Sequence, residues 1–195
     1  MKKALTVCAL FLILLLFALR IYGINHEMGL GETLEYSMNE VVPLENDFNH
    51  NSEEAAPGYS VQVLGCEWME VSDFIEKYQV NSDLVSDSTS YYILVTLSCK
   101  NADNQQGTDA GISLFGFPLV GINYLTEFDE SSFLALNPNM PGEQFALYPG
   151  TDMEMTLAYP INVMNKTEFQ KLLRSKIWLN LTEYPNRKIV RLEIS

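Results

Sequence analysis

The chain has 195 residues, of which 25 are acidic and 12 are Lys or Arg, so its formal net charge is −13. Lys2, Lys3 and Arg20 all precede residue 24, and the remainder therefore carries nine basic and 25 acidic residues. A surface of that charge repels phosphate groups, which excludes nucleic acid as an expected partner. Histidine, the usual general base and metal ligand, occurs only at His26 and His50.

Residues 1–23 form an apolar leader. Lys2 and Lys3 precede sixteen uncharged residues, 4–19, and Arg20 ends the run. At the rise of an α-helix these sixteen residues extend roughly 24 Å, slightly less than the ~20 residues that usually span a bilayer. The pattern fits an uncleaved signal anchor, which is a single transmembrane helix, or a cleaved signal peptide. Both alternatives place the C-terminal part outside the cytoplasm.

Residues 24–58 are predicted to be an acidic, flexible tether. The segment contains eight acidic residues and no Lys or Arg. Like charges repel, and a segment with few periodic apolar positions buries little surface, so an extended or mobile chain is expected.

Residues 59–195 are predicted to form one mainly β domain, long enough for a sizeable core. Alternating apolar residues predict strands, and helical spacing predicts two short helices. A bulge is expected at Gly65, within the first strand. In chain order, we predict a strand from Tyr59, a helix at Val71–Tyr78, strands at 91–100, 133–136, 144–148 and 153–159, a helix from Thr167, and a final hairpin with strands at 177–182 and 190–194.

The expected fold is an antiparallel, immunoglobulin-like β-sandwich with two short helical insertions, preceded by the apolar N-terminal helix. Seven or more strands joined by short connections favour two packed antiparallel sheets. A purely parallel sheet is disfavoured, because most connections are too short for crossover helices.

The sequence contains no recognisable catalytic motif, metal-ligand spacing or cofactor loop, so no catalytic, metal or cofactor residue is assigned. The polar stretch 101–111 loosely resembles a calcium loop through Asn101, Asp103 and Asp109. However, Gly107 falls one place late for that pattern and no Glu closes it. An ordinary turn is the better interpretation.

Two sets of residues are candidates for special roles. Cys66 and Cys99 lie on two predicted neighbouring strands in an oxidising compartment, so they form either a disulfide or two buried thiols. Phe115, Phe117 and Tyr124 lie in an apolar stretch interrupted by glycine and proline. They form either an exposed contact surface or part of the core.

Several segments resemble a group of uncharacterised, surface-exposed domains of Gram-positive, often gut-dwelling bacteria. They are SVQVLGCEWMEVSDFIEKY, YYILVTLSCKN, LFGFPLVGINY, MTLAYPI and IWLNLTEYPNRKIVRLEI, following an apolar leader and an acidic segment. These domains are similar to telokin-like, immunoglobulin-fold domains that often carry signal peptides or lipoprotein anchors. The resemblance implies a sandwich fold and no particular activity. This chain differs from the lipoprotein members, because Cys8 lies inside the apolar run.

Three functional hypotheses follow. The first is a non-enzymatic interaction module, membrane-tethered or secreted, that binds a protein or cell-envelope ligand through loops of the sandwich. The second is an extracytoplasmic glycan hydrolase, which needs two carboxylates at a set separation. The third is an immunity or inhibitor protein. The first is preferred, because a leader, a spacer and a β domain together suit tethered binding.

Overall fold

The computed structural model describes residues 13–21, 31–107, 111–122, 124–163 and 165–195. Within these ranges the chain is mainly β, with antiparallel sheets and four α-helices. The first helix, α1, covers residues 13–21 and is exposed; the rest of the predicted leader lies outside the described residues. Among the described helices, none is both long enough and apolar enough to cross a bilayer.

The central sheet has four antiparallel strands in the order β2-β3-β4-β9. Its long strands are rich in β-branched and aromatic residues, which suit a pleated and buried surface. The register shifts between Val63 and Gly65, so the predicted bulge is confirmed. The strands are β2 at Val41–Pro43, β3 at Tyr59–Glu70, β4 at Tyr91–Asn101 and β9 at Asp152–Ile161.

The second sheet has five strands in the order β1-β11-β10-β6-β7. Its pairs are antiparallel except that β1 runs parallel to β11. The strands are β1 at Thr33–Ser37, β6 at Leu119–Gly121, β7 at Tyr124–Thr126, β10 at Ile177–Thr182 and β11 at Arg187–Arg191. A separate antiparallel pair joins β5, Ile112–Ser113, to β8, Gln144–Phe145.

The two larger sheets share one hydrophobic core, in a sandwich-like arrangement. Val61, Val95 and Leu157 of the four-stranded sheet belong to the same buried cluster as Leu179 and Val190 of the five-stranded sheet. The alternate side chains of β4 pack on the opposite face in a smaller cluster that includes Phe74 and Val80. Because successive side chains of a strand point to opposite faces, β4 is buried on both.

Three further helices cover the domain: α2 at Val71–Tyr78, α3 at Glu130–Leu136 and α4 at Lys166–Leu173. Helix α2 has the predicted bounds, and Phe74 stacks on Tyr92 with ring centroids 4.1 Å apart. The strand predicted at 133–136 is wrong, because α3 occupies these residues. The Asp129 carboxylate accepts a hydrogen bond from the Ser132 amide at 2.8 Å, an N-cap that begins a helix.

The prediction of a flexible tether over residues 24–58 is wrong for residues 31–58, which are part of the folded domain. They contribute β1 to the five-stranded sheet and β2 to the four-stranded sheet, and Val42 and Leu44 are buried in the core. The segment folds because its acidic side chains stay at the surface or are paired, while these apolar positions point inward. The β domain therefore includes residues 31–58, and residues 24–30 lie outside the described ranges.

Candidate functional site

An open cleft of about 490 Å³ lies between the short 3-10 turn at Ser52–Glu54 and the two-stranded β5–β8 ladder. Acidic, amide and hydroxyl side chains line it over the apolar side chains of β5 and β8. The lining residues are Asn51, Glu53, Glu54, Gly111, Ile112, Ser113, Gln144, Phe145 and Ala146.

One wall of the cleft is held by hydrogen bonds within residues 50–54. The Asn51 side chain accepts from the Glu53 amide at 2.9 Å and donates to Glu54 at 3.2 Å. The Glu54 carboxylate also accepts from the His50 amide at 2.9 Å. Glu53 is exposed, and none of the described residues pairs with its carboxylate. The wall therefore presents one anchored and one available carboxylate.

The opposite wall is the β5–β8 ladder, where Ser113 pairs with Gln144 and Ile112 with Phe145. The Gln144 amide reaches the Ser113 hydroxyl at 3.5 Å. A Cβ atom at Gly111 would overlap the Phe145 carbonyl, so glycine permits the close approach of the two segments. Backbone pairing therefore fixes the position of this wall.

A small interior cavity of about 20 Å³ lies behind the cleft and shares Glu54, Ile112 and Ser113 with it. Asp47 and Thr182 also line it. This cavity therefore has lining residues in common with the cleft and with a second group of charged residues.

That group is centred on Lys188, whose side chain is fully buried. Its Nζ lies 2.7 Å from Asp47 Oδ2 and 2.7 Å from Glu45 Oε2, and it donates to the carbonyls of Pro43 and Leu44 at 2.6 and 3.3 Å. Burial lowers the pKa of Lys188, but the hydrogen bonds and charges of Asp47 and Glu45 outweigh it and raise that pKa. The ammonium group therefore fastens residues 43–47 to β11.

The sequence reasoning did not identify the Lys188 cluster. Asp47 and Lys188 are far apart in the chain, and no spacing rule connects them. One signal was present: Lys188 alternates with Val190 and Leu192, which are buried, and a period of two puts all three on the inward face of a strand. A lysine at such a position requires a buried acidic partner.

A protein-family model matches most of the β domain described above. The family model described as "Domain of unknown function (DUF5028)" matches residues 33–188. The chain belongs to the DUF5028 family. The matched region begins at the first residue of β1 and ends at Lys188, so it contains both walls of the cleft and the whole lysine cluster.

Two solved structures resemble this DUF5028 chain at 10% sequence identity and a TM-score of 0.45. One is a candidate lipoprotein, ycdA, from Bacillus subtilis; the match covers 76% of this chain and 38% of that one, so the chain spans well under half of it. The other is a protein of unknown function from Listeria monocytogenes, with 80% and 89% covered. No curated protein sequence matches the chain.

The two cysteines of the DUF5028 domain are free, buried thiols. Cys66 lies opposite Val95 of β4, whereas Cys99 lies opposite Val61. Val95 and Cys99 are four residues apart on β4, so at ~3.4 Å per residue the two cysteine positions are separated by roughly 14 Å along the strand. A disulfide allows only ~7 Å between Cα atoms. The disulfide alternative is therefore corrected in favour of two thiols. Burial raises the pKa of Cys66 to about 12 and also raises that of Cys99.

The three aromatic candidates for a contact surface do not share one environment. Phe115 is 52% exposed, while Phe117 is in the core and its carbonyl accepts from the Tyr159 hydroxyl at 2.6 Å. Tyr124 is half-buried on β7, and burial raises its pKa to about 12. Phe117 is thus not a contact residue. Ile122 and Leu125, which the sequence reasoning did not single out, are exposed on the β6–β7 hairpin.

Glu143 is a buried carboxyl group next to the cleft residue Gln144. Its Oε1 atom has no hydrogen-bond partner within the described residues. Burial, followed by repulsion from Glu130 and Asp129, raises the pKa of Glu143. Folding therefore disfavours the ionised form of this side chain relative to its form in the unfolded chain.

Residues 101–111, which loosely resemble a calcium loop in sequence, begin with a residue that has a structural role. Asn101 is buried, and its side chain donates to the carbonyls of Asn104 and Leu147 at 2.9 and 2.8 Å. Asp109 lies outside the described residues. Over the described ranges, no group of three or more His, Cys, Asp or Glu side chains converges as a metal site would.

Proposed function

We propose that this DUF5028 chain is a non-enzymatic binding module of a Gram-positive cell envelope, carried outside the cytoplasm by its leader and either tethered or secreted. In this proposal the two sheets form a telokin-like, immunoglobulin-type sandwich. The observation that supports a binding role is the open cleft between the 3-10 turn and the β5–β8 ladder, whose two walls are held by hydrogen bonds and backbone pairing.

The cleft suits a ligand rich in hydrogen-bond donors. Glu53 offers a free carboxylate, and the side chains of Asn51 and Gln144 offer amide oxygens. A hydrogen bond to a charged group contributes about 1.5–3 kcal/mol, whereas the net negative charge of the chain repels anionic polymers. Hydroxyl, amide and amine groups, such as those of peptidoglycan, fit these requirements.

Co-sedimentation with purified peptidoglycan tests the proposal. We expect the full chain to sediment with the polymer, and Glu53→Gln and Gln144→Ala to lower the affinity by about tenfold each, as expected for the loss of ~1.5 kcal/mol. We also expect no soluble fragments to be released during the incubation.

Gln62→Ala is the matched control. Gln62 is a polar residue on the outer face of the four-stranded sheet, where it lines a different depression of about 490 Å³, and its substitution should leave binding unchanged. Absence of sedimentation, or equal binding by Glu53→Gln and the unmodified chain, contradicts the assignment of the cleft. Release of soluble fragments contradicts a non-enzymatic role.

A further inference from the structure

The buried pair Lys188–Asp47 combines a nucleophile and an acyl group at contact distance. Lys188 Nζ lies 2.7 Å from Asp47 Oδ2, and the two side chains are 0% and 3% exposed. Removing two charges from water is costly even when they are paired. A condensation that converts ammonium and carboxylate into a neutral amide removes both buried charges.

The groups around this pair match the needs of such a condensation. The other carboxylate oxygen, Asp47 Oδ1, accepts from the Asn186 backbone amide and side chain at 3.1 and 3.2 Å. Donors in that position stabilise the negative charge that develops on the oxygen when a nucleophile adds to the carbon. Glu45 Oε2 lies 2.7 Å from Lys188 Nζ, within reach to accept and return a proton.

We infer that Lys188 and Asp47 condense into an intramolecular isopeptide bond. The resting pair is an ammonium and a carboxylate, and the first step transfers one Nζ proton to Asp47 Oδ2. The free Nζ electron pair then attacks Cγ, and the Nζ–Cγ bond forms. Glu45 accepts a second Nζ proton and delivers it to Oδ2. The Cγ–Oδ2 bond breaks, one water leaves, and the amide retains the third Nζ proton.

The contacts of Lys188 with the carbonyls of Pro43 and Leu44 orient the amine toward Asp47 and do not take part in bond formation. The product joins the segment after β2 covalently to β11. Such a link closes a loop over residues 47–188 and, like a disulfide, restricts the unfolded chain. This inference does not depend on the ligand of the cleft.

Peptide mapping of the full chain tests the bond directly. Trypsin releases Asp47 in a fragment that ends at Lys77. Because trypsin does not cleave after an acylated lysine, cleavage after Arg187 and Arg191 releases 188–191 intact only when Lys188 is linked. We expect a branched species whose mass is the sum of the two fragments minus one water. Fragment spectra should place the link between Asp47 and Lys188. Recovery of the Asp47 fragment only in unlinked form, together with release of 189–191 by cleavage after a free Lys188, overturns the inference.

Substitutions of single residues test the role of each residue in forming the bond. Lys188→Arg keeps the charge but cannot condense, and Asp47→Ala lacks the acyl group, so neither should give the branched species. Glu45→Gln should slow its appearance after refolding by about 100-fold, and Asn186→Ala by a similar factor. An unchanged rate in Glu45→Gln contradicts the proton-carrier role, and a branched species in Lys188→Arg contradicts the identity of the nucleophile.

Discussion

Glu143 shows how burial changes the behaviour of a single residue. Its folded-state pKa lies above the ordinary 4.5, so the folded state binds the proton more tightly than the unfolded chain. Its contribution to stability is present at low pH and is lost as the pH rises through the raised pKa. We therefore expect Glu143→Gln to increase the free energy of unfolding at neutral pH.

Thermal unfolding at a series of pH values checks this expectation. The stability gain of Glu143→Gln should shrink as the pH falls toward the ordinary carboxyl pKa. Glu154→Gln removes the same charge from an exposed position of β9 and should have little effect at any pH. A gain of equal size in both variants would show that net charge, rather than burial, is responsible.

The thiols of Cys66 and Cys99 should be unreactive in the folded domain. The thiolate is the reactive form, and burial raises the pKa of Cys66 to about 12 and also raises that of Cys99. At pH 8 we expect a maleimide to label neither residue until a denaturant is added. Peptide-level mass spectrometry distinguishes them from Cys8. Rapid native labelling, or a disulfide-linked pair of peptides, would contradict the structure.

Residue-level features were predictable only where they depend on neighbours in the chain. The alternation of β4 correctly placed Cys99 with the inward residues Val95 and Leu97, but it could not give the register that separates Cys99 from Cys66. Similarly, the alternation of residues in the last strand indicates that Lys188 points inward, but it cannot show that Lys188 contacts Asp47.

At the scale of elements, β2 offers a matched test of the folded N-terminal segment. Val41 and Val42 are adjacent and chemically identical, yet they are 58% and 0% exposed. Val42→Ala should lower the free energy of unfolding by about 2 kcal/mol through lost burial and the cavity left behind. Val41→Ala should change it by less than about 0.5 kcal/mol. Chemical denaturation measures both.

Equal, negligible effects of the two valine substitutions would indicate that residues 31–58 behave as the tether that composition suggested. A loss in Val42→Ala alone would establish this segment as part of the cooperative unit.

Elements with strong local signals were predicted well, and those decided by distant contacts were not. Helix α2 and the bulge at Gly65 follow from spacing and from glycine. In contrast, β1 and β2 are short strands within an acidic segment, and they exist because β11 and β3 offer edges for pairing. Helix α3 is short, and its four consecutive apolar residues at 133–136 fit a strand as well as a helix; the N-cap at Asp129 favours the helix.

At the scale of the whole molecule, the N-terminal segment connects both sheets and builds one side of the cleft. β1 extends the five-stranded sheet, β2 extends the four-stranded sheet, and residues 51–54 form the wall opposite the β5–β8 ladder. The sequence predicted one β domain with packed antiparallel sheets but no cleft, because residues 51–54, 111–113 and 144–146 are far apart in the chain and meet only when it folds.

Hydrogen exchange of the full chain, with and without soluble peptidoglycan fragments, tests the proposed role of the cleft most directly. We predict slower exchange on ligand addition in peptides covering residues 51–54, 111–113 and 144–146, and we expect Glu53→Gln to need about tenfold more ligand for the same protection. Protection confined to the outer face of the four-stranded sheet around Gln62, or unchanged exchange throughout at saturating ligand, would contradict the account.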